Sequence, residues 1–550
     1  MFDRKIADTE RREALRLPSK PPAIALFPRR APAREPLPRR VLRRLGAWYQ
    51  WGEVLVNRLV SFPLNPLYYT GTIAVFSLAV ATVTGIYLFL FYRVGSDAAH
   101  ASIEGIMAHP FGIGALMRSL HRYASDAAIL AAVLHGAKML LNDRFWGARW
   151  IGWVTGIVLL GLVWITGATG YWLVWDVEAQ WLSISTARFL DVLPIFGQPL
   201  SRTFLPGTQI QNFLFFIVLF IHITIPLLLG LAYWLHVMRL ARARFFPPRL
   251  VLWVTGAALL AASVLRPAVS GSPADLSTVP GVVPVDLFYF LYAPLTRLAP
   301  WTGWAMVLGI GLVAFSLPWT LKGSAPAPAR VESSACAACT RCWKDCPYGA
   351  IVMRPRDDGT RDKLQAVVNP AKCVSCGICL GACDSGGIVF GGQPLTLFNE
   401  AVAERLRQVR EEASRHTVGP SPNGKTPPPV LLVYACRLMT HLEGRLRDNG
   451  TLDGAPATTV LGLPCVGMLH PEMINKSLAF GAAGIFIAGC IPDDCAYREG
   501  SLCLEERLTG KRLPTLKSSP EGRLRVRWYS PVEVRRFLTD VRAFAEELRG

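Results

Sequence analysis

Between about residues 45 and 320 the chain consists of long apolar stretches separated by more polar segments. A helix of about 20 apolar residues crosses a bilayer, and six stretches reach or approach that length. An additional stretch before them, 41–62, mixes apolar and basic positions and is predicted to form an amphipathic helix on the membrane surface. The pattern therefore predicts a bundle of six membrane-spanning helices, near residues 66–92, 115–140, 150–175, 208–238, 249–266 and 300–320.

After residue 320 the pattern changes to short apolar runs in a polar background. A helix is predicted at 396–414, and three runs, Val430–Tyr434, Thr458–Leu463 and Gly484–Ala488, alternate with further predicted helices. That alternation indicates a small α/β domain. The predicted domains are a basic cytoplasmic tail 1–44, a six-span membrane domain 45–322, a linker 323–332, a cysteine-rich domain 333–392, a helix and linker 393–427, and an α/β domain 428–550.

Composition and charge indicate a membrane protein with a soluble part attached. Only 18% of the residues are charged and 51% are hydrophobic, whereas a soluble protein carries about a quarter charged residues. The net charge is +19, and the first 44 residues hold 13 Lys and Arg against five Asp and Glu. Nucleic acid binding is the weaker interpretation of this charge, because no aromatic–basic recognition motif accompanies it.

Basic residues also occupy the loops after the second and fourth predicted spans. Arg144 and Arg149 lie in the first of these loops, and Arg239, Arg242 and Arg244 in the second. Loops rich in Lys and Arg face the cytoplasm. We therefore expect a multi-pass protein of the cytoplasmic (inner) membrane, with both termini and the cysteine-rich domain in the cytoplasm.

All 13 cysteines lie between Cys336 and Cys503. Eight form two runs spaced C-x2-C-x2-C-x3-C, and Asp384 follows the second run where Pro347 follows the first. This is the spacing of a bacterial-type α+β ferredoxin with two [4Fe–4S] clusters, in which the fourth cysteine of each run binds the other cluster. Zinc is the alternative, but zinc sites rarely use eight thiolates so spaced. The predicted sets are Cys336, Cys339, Cys342 and Cys383, and Cys373, Cys376, Cys379 and Cys346.

Four of the nine histidines form two pairs within the predicted spans. His121 and His135 are 14 residues apart on the second span, and His222 and His236 are 14 apart on the fourth. Fourteen residues of helix return to within about 40° of the same face and rise about 21 Å. Two such helices can hold two stacked haems, with His121 and His222 on the outer side and His135 and His236 on the cytoplasmic side. Interhelical hydrogen bonding is the alternative role for intramembrane histidines.

Glycines repeat this spacing on the first and third spans. A glycine has no Cβ and lets a flat macrocycle approach the backbone. Helix–helix packing is the alternative explanation for small residues in spans. Beside the histidines, haem clearance is the favoured role of Gly71, Gly85, Gly156 and Gly170.

The runs SLHRYASDAAILAAVLHGAKMLLN, WVTGIVLLGLVWITGATGYWLVWD and VLPIFGQPL resemble cytochrome b of bc-type complexes, closest to the b/f branch. The resemblance covers about residues 45–320. It implies that the four histidines ligate two b haems, that Arg122 lies near a haem propionate, and that 176–206 helps to form an outer quinol pocket. The family's Pro-Glu-Trp-Tyr motif is replaced by Pro284-Val285-Asp286-Leu287. Asp286 is the candidate proton acceptor in place of the glutamate.

The segment LGLPCVGMLHPEMINKSLAFGAAGIFIAGCIPDDCAYREG resembles the delta subunit of methyl-viologen-reducing hydrogenase. Members of that family hold a [2Fe–2S] cluster and pass electrons to a heterodisulfide-reductase-like flavoprotein. The resemblance implies Cys436, Cys465, Cys490 and Cys495 as ligands and leaves Cys503 as a structural thiol. A Rossmann nucleotide site is not expected, because no G-x-G-x-x-G follows a strand.

These features predict transmembrane electron transfer between the quinone pool and a cytoplasmic redox partner. The expected cofactors are two b haems, two [4Fe–4S] clusters and one [2Fe–2S] cluster, with quinone as the substrate. The alternative is a non-catalytic electron-transfer and docking subunit of a larger complex, with no quinone site of its own. Further membrane subunits, or Rieske and cytochrome c subunits, are additional candidate partners. Both directions of electron flow stay open, because potentials depend on the surroundings of each cluster.

Overall fold

The structure is a computed structural model of the chain. Two compact units divide it, one formed by Val56–Gly323 and the other by the rest of the described chain. Most of the basic tail, Pro284, Val285, Leu287 and most of the connector 417–429 lie outside the described residues. The described residues are 36–195, 197–206, 210–278, 286, 288–289, 291–323, 327–356, 363–417, 429–436, 442, 444–447 and 450–549.

Helices form nearly all of the regular structure before residue 323. They are apolar on every side in the predicted spans, and large side chains such as Leu90, Leu227 and Trp253 are mostly exposed. Such helices suit a lipid environment. In chain order they are α1 Leu37–Val60, α2 Thr70–Phe91, α3 Ala99–Met107, α4 Ile113–Leu141, α5 Trp150–Val174, α6 Val177–Leu190, α7 Asn212–Val237, α8 Arg249–Leu265, α9 Ala293–Thr296 and α10 Pro300–Thr320.

Five of the described helices are long and apolar enough to cross a membrane: α2, α4, α5, α7 and α10. The fifth predicted span corresponds to α8, which is apolar but has only 17 residues. The chain is therefore a membrane protein with several apolar helices, and the count of six spans stays a prediction.

The apolar helices pack mainly in two pairs. Helix α2 lies along α4, and α5 lies along α7. Each pair joins a span that carries predicted haem-clearance glycines to a span that carries the predicted histidine ligands. The close packing of these pairs positions the first candidate site.

The first part of the iron–sulfur unit is built from short strands and a one-turn helix, α11 Arg341–Asp345. A two-stranded antiparallel sheet pairs β2 Ile351–Pro355 with β3 Leu364–Val368. A three-stranded antiparallel sheet has the order β1 Arg330–Val331, β4 Ile388–Phe390 and β5 Gln393–Pro394. The two cysteine runs fill the loops between these elements.

The second part of this unit is an α/β domain with a five-stranded sheet in the order β10-β9-β6-β8-β7. The strands β6, β8, β9 and β10 are parallel, and β7 is the antiparallel edge strand. The three predicted apolar runs form the central strands β6, β8 and β9. The elements are α12 Leu395–Thr417, β6 Leu431–Ala435, β7 Thr451–Leu452, β8 Ala455–Gly462, α13 Pro471–Ala479, β9 Gly484–Cys490, α14 Gly500–Leu508, β10 Leu524–Tyr529 and α15 Val534–Glu547.

Candidate metal centres

Two pairs of histidines face each other between helices α4 and α7. The ring centroids of His121 and His222 are 6.3 Å apart, with an angle of 61° between the planes. Those of His135 and His236 are 6.5 Å apart, at 70°. Two metal–imidazole bonds of about 2 Å, plus about 1 Å from each nitrogen to its ring centre, span about 6 Å. Each pair is therefore spaced to hold one metal atom between its rings.

The Nδ1 atoms of three of these histidines are held by neighbouring helices. The contacts are His121 Nδ1 to the Ala81 carbonyl oxygen at 2.8 Å, His222 Nδ1 to the Thr166 carbonyl oxygen at 2.9 Å and His236 Nδ1 to Thr155 Oγ1 at 2.9 Å. A carbonyl only accepts, so Nδ1 of His121 and His222 donates and Nε2 keeps its lone pair. Such a bond orients a metal-ligating imidazole and sets its tautomer.

The four predicted haem-clearance glycines each lie against one of these rings. A Cβ added at Gly71 would be 2.9 Å from His135 Nδ1, and one added at Gly156 would be 3.4 Å from His236 Cε1. The other site repeats this, with 3.0 Å from Gly85 to His121 Cε1 and 3.0 Å from Gly170 to His222 Cε1. The structure thus gives these glycines a role beside the imidazoles, where a side chain would displace the ring.

Threonines beside the same glycines were not predicted from the sequence as site residues. Each of the four glycines follows a threonine in the sequence, at positions 70, 84, 155 and 169. Three of the hydroxyls approach an Nδ1 atom: Thr84 Oγ1 at 3.3 Å from His121, Thr155 Oγ1 at 2.9 Å from His236 and Thr169 Oγ1 at 3.2 Å from His222. The repeated Thr-Gly pair was the signal that could have identified them.

Asp286 is hydrogen-bonded on both carboxylate oxygens. Tyr171 donates its hydroxyl to Asp286 Oδ2 at 2.8 Å. Oδ1 accepts the backbone N–H groups of Phe288 at 2.9 Å and Tyr289 at 3.1 Å. The carboxylate is therefore oriented toward the end of α5, the helix that carries Tyr171.

Arg122 lies beside this group. Its guanidinium sits 4.5 Å above the ring centroid of Tyr171 and pairs with Asp126 Oδ2 at 3.1 Å. A guanidinium so placed can compensate an acidic group near His121. The role of a haem propionate partner stays a prediction.

The two cysteine runs bring eight thiols together in the combinations that their spacing predicts. Cys336, Cys339, Cys342 and Cys383 line one cavity. Burial, and then the neighbouring thiolates Cys383, Cys339 and Cys336, raise the pKa of Cys342 to about 12. A similar raised pKa is found for Cys379, caused by burial and then by the thiolates of Cys376, Cys373 and Cys346. Thiolates crowded in this way need a bound cation to stay ionised.

Backbone conformation repeats between the two runs. Ala338 and Thr340 have φ of 52° and 64°, and the equivalent Ser375 and Gly377 have φ of 56° and 78°. Left-handed residues in turns of this kind form the concave loops that surround iron–sulfur sites. Among the described residues, no group of three or more Cys, His, Asp or Glu is arranged to hold a single metal ion. The assignment of the eight thiols as ligands of two [4Fe–4S] clusters rests on their spacing and stays a prediction.

The parallel sheet brings four more cysteines to one edge. Cys436 follows β6, Cys465 follows β8 and Cys490 ends β9, so their side chains meet beyond the carboxyl ends of the strands. The Sγ atoms of Cys436 and Cys490 are 3.2 Å apart, and a Cβ at Gly500 would collide with Cys465 Sγ. All four cysteines, Cys436, Cys465, Cys490 and Cys495, are buried.

One thiol of this group differs from the others in charge. Hydrogen bonds from Cys465 and Cys490, which stabilise its thiolate, lower the pKa of Cys495. The hydrogen bond to Cys495 raises the pKa of Cys465, and the hydrogen bonds with Cys436 and then with Cys495 raise the pKa of Cys490. Cys503 is also buried, and burial raises its pKa to about 12. It lies on α14 and fits the structural role that the sequence predicts.

Two buried polar side chains near the cysteines were not identified from the sequence. His470 is buried rather than on the surface, with Nε2 at 2.8 Å from Asp384 Oδ1 and Nδ1 accepting the Glu472 N–H at 3.1 Å. Arg507 is fully buried and bonds to Asp345 Oδ2 at 2.6 Å. Asp384 in place of the usual proline was a possible signal for the first, but no local pattern pointed to the second.

Comparison with known proteins divides the chain in the same way. Residues 55–244 match the family model for cytochrome b/b6/petB, residues 335–386 match that for a 4Fe-4S dicluster domain, and residues 431–550 match that for the delta subunit of methyl-viologen-reducing hydrogenase. A solved structure titled "Hyperthermophilic respiratory Complex III" matches 47% of this chain and 75% of its own, at 18% identity with a TM-score of 0.37.

The predicted combination of regions is therefore confirmed. One polypeptide joins a cytochrome b region to a 4Fe-4S dicluster domain and a hydrogenase delta-subunit domain. Cytochrome b implies b-type haem, and the dicluster domain implies iron–sulfur clusters. The histidine pairs and the eight thiols described above fit these groups in donor type and spacing. The make-up is that of a protein for membrane electron transfer.

Proposed function

We propose that this chain carries electrons between the membrane quinone pool and a cytoplasmic redox partner, through two b haems, two [4Fe–4S] clusters and one [2Fe–2S] cluster. The observation that carries the proposal is the pair of histidine sites, 6.3 Å and 6.5 Å between ring centres, in the same chain as twelve clustered cysteines. A structural or docking protein has no need of four histidines oriented so closely within apolar helices.

When bound, the haems and clusters supply one-electron transfer. The residues of the chain position them. His121, His135, His222 and His236 would present Nε2 to the haems, while helix carbonyls and threonine hydroxyls hold Nδ1 of His121, His222 and His236. The apolar faces of α4 and α7 exclude water from both sites, and low polarity around a haem is one of the protein's means of setting its potential.

Asp286 and Tyr171 are the proposed proton-handling residues for quinol. Oxidation of a quinol releases protons as well as electrons, so a carboxylate must lie within hydrogen-bond reach of the substrate hydroxyl. Asp286 is held by Tyr171 at 2.8 Å and by two backbone N–H groups. These bonds hold the carboxylate in one orientation, in which it can accept a proton.

The partner of the α/β domain is proposed from its family match. A delta subunit of a hydrogenase serves a soluble redox enzyme, and a heterodisulfide-reductase-like flavoprotein or another cytoplasmic redox enzyme is the proposed partner. Further membrane subunits, or Rieske and cytochrome c subunits, would complete a larger complex. The basic loops at Arg144 and Arg239 support a cytoplasmic position for the termini and the iron–sulfur domains.

The test is anaerobic mixing of the oxidised, detergent-purified protein with a menaquinol or ubiquinol analogue, following haem b absorbance. We expect haem reduction that a quinone-site inhibitor slows. The reverse reaction, oxidation of the reduced protein by quinone, distinguishes two reasons for a failed reduction. Haems whose potential is too low for quinol to reduce would still be oxidised by quinone, whereas a chain without a quinone pocket would react in neither direction. Intact haems that exchange electrons with quinone in neither direction would refute the proposal.

A non-catalytic electron-transfer and docking subunit is the second candidate. The replacement of Pro-Glu-Trp-Tyr by Pro284-Val285-Asp286-Leu287 favours it, because the carboxylate is shorter and lies one residue further along the chain. In that case a quinone-site inhibitor leaves the haem spectrum of the isolated chain unchanged. A spectral shift on adding the inhibitor would contradict this second candidate.

A further inference from the structure

The ferredoxin part and the α/β part of the iron–sulfur unit share one continuous hydrophobic core. Its buried residues include Cys376, Ile378 and Leu380 from the second cysteine run, and Cys465 and Met468 from the loop after β8. Two such domains joined only by a linker would keep separate cores. The shared core indicates that these two domains form one fixed body.

The backbones of the two domains approach closely at this junction. A Cβ at Gly381 would be 2.5 Å from the Gly467 carbonyl oxygen, and one at Gly377 would be 3.0 Å from Met468 Cβ. Glycine is needed where two backbones meet this closely. The two contacting segments carry Cys379 and Cys465, a predicted [4Fe–4S] ligand and a predicted [2Fe–2S] ligand.

A buried ion pair crosses the same junction. Arg507, on α14, is fully buried and donates to Asp345 Oδ2 at 2.6 Å, to the Gly467 carbonyl oxygen at 2.7 Å and to the Ile378 carbonyl oxygen at 3.3 Å. Arg512 donates to the other carboxylate oxygen, Asp345 Oδ1, at 2.7 Å. One guanidinium fork thus bonds both cysteine-bearing segments and the residue before Cys346.

A planar guanidinium is suited to this task and an ammonium is not. Arg presents donors in a fixed fork, so three partners can be held at set positions, whereas Lys offers a single flexible point charge. Replacing a buried ion pair by apolar residues often leaves stability unchanged or improves it. The buried pair at this position therefore fixes the relative position of the segments that it joins more than it raises the free energy of unfolding.

The solvent exposure of the cysteines differs among the three predicted ligand sets. The four predicted [2Fe–2S] ligands are 2–6% exposed, and Cys376 and Cys379 of the adjoining set are buried as well. In the remaining set, Cys339 is exposed. Cys346 and Cys373 of the adjoining set are partly exposed, so the set that contains Cys339 is the more open of the two to a donor or acceptor outside the unit.

We propose that Arg507, with Asp345, is the positioning residue that fixes the [2Fe–2S] site against one of the two [4Fe–4S] sites, that of Cys373, Cys376, Cys379 and Cys346. In this arrangement electrons pass between these two centres before the other [4Fe–4S] site, that of Cys336, Cys339, Cys342 and Cys383. The inference rests on the proposed function for its cofactors. When bound, the two clusters would exchange a single electron in either direction, one cluster gaining the electron that the other loses.

The test uses the full-length chain in detergent, reduced with dithionite and studied by EPR. Neighbouring paramagnetic clusters split and broaden each other's signals, so wild-type protein should show an interaction between [2Fe–2S]⁺ and one [4Fe–4S]⁺ cluster. Arg507→Lys should retain iron and acid-labile sulfide and lose much of this splitting. Arg525→Lys is the matched control, because Arg525 makes a bidentate pair with Glu547 at 2.7 Å and 2.9 Å on the partly exposed strand β10.

A double variant, Asp345→Asn with Arg507→Gln, removes both charges together and leaves no buried charge unpaired. It should keep its clusters and also lose the splitting. Unchanged splitting in either variant, or no splitting in wild-type protein, would overturn the proposal. Loss of the clusters from both variants would assign the pair to folding alone and would overturn it too. Dithionite reduction involves no quinone, so a failed quinol reaction leaves this result interpretable.

Discussion

Replacing Gly71 by alanine should disturb one haem site and leave the other intact. The added Cβ would lie 2.9 Å from His135 Nδ1 and 3.0 Å from His135 Cε1. Carbon atoms in ordinary contact are about 3.5–4.0 Å apart. The His135 ring must therefore move by about 0.5–1 Å, away from the position opposite His236.

The cost of this displacement follows from measured effects of overpacking. An extra methyl group in a packed core costs about 1–3 kcal/mol, which corresponds to about a 5- to 150-fold loss in an equilibrium constant. Alanine also favours a helix over glycine by about 1 kcal/mol, so the two effects on folding partly cancel. The change should thus appear in haem retention and potential at this site more than in thermal stability.

The assay compares haem per chain and the redox titration of each haem in purified protein. Gly161→Ala is the control, since a Cβ there has nothing within 4 Å; it should retain both haems and unfold at the same or a slightly higher temperature. Gly156→Ala, at 3.4 Å from His236, should give a smaller shift at the same site. Equal haem content and equal potentials in Gly71→Ala and Gly161→Ala would refute the reasoning.

Three further predictions follow from the described contacts. Asp286→Asn should slow haem reduction by quinol about 10²–10⁴-fold, the usual contribution of a general base, with an unchanged haem spectrum; a rate equal to wild type would rule out the carboxylate as proton acceptor. Cys495→Ala should abolish the [2Fe–2S] EPR signal, whereas Cys503→Ala should keep all the clusters, and loss of a signal from the second variant would show that Cys503 is a ligand. Below about pH 6.5 the iron–sulfur unit should lose stability through His470, because burial lowers the pKa of this histidine to about 4; chemical denaturation at several pH values measures this.

The sign of the His470 effect follows from its hydrogen bonds. Burial disfavours a charged ring and Nδ1 accepts the Glu472 N–H at 3.1 Å, so the folded state favours the neutral ring although Nε2 lies 2.8 Å from Asp384 Oδ1. Its contribution is fully present above the unfolded pKa of about 6.5 and is lost as the pH falls toward the folded value of about 4. His470→Gln should flatten this dependence, and an unchanged slope in that variant would assign it to other groups.

Much of the redox chemistry could be predicted from local sequence. The predicted ligands follow from the spacing of Cys336 to Cys346 and of Cys373 to Cys383 and from the 14-residue interval between His121 and His135, because the geometry of a bound cluster or haem restricts such spacings. Apolar length predicted the helices α2, α4, α5 and α7, because a bilayer imposes its thickness on any helix that crosses it. Patterns of this kind repeat within a few turns of chain and need no tertiary information.

Other features were decided by contacts between distant segments. The pair of Arg507 and Asp345 joins residues 162 positions apart, and the contact of His470 with Asp384 spans 86 positions. No period or motif encodes such partners, since each side chain in isolation suits an exposed helix or loop as well as a buried pair. Membrane thickness and the geometry of metal ligands constrain residues that are close in the chain, so their effects are visible in the sequence. The burial of a charge depends on which surfaces fold against each other, so it is visible only in the tertiary structure.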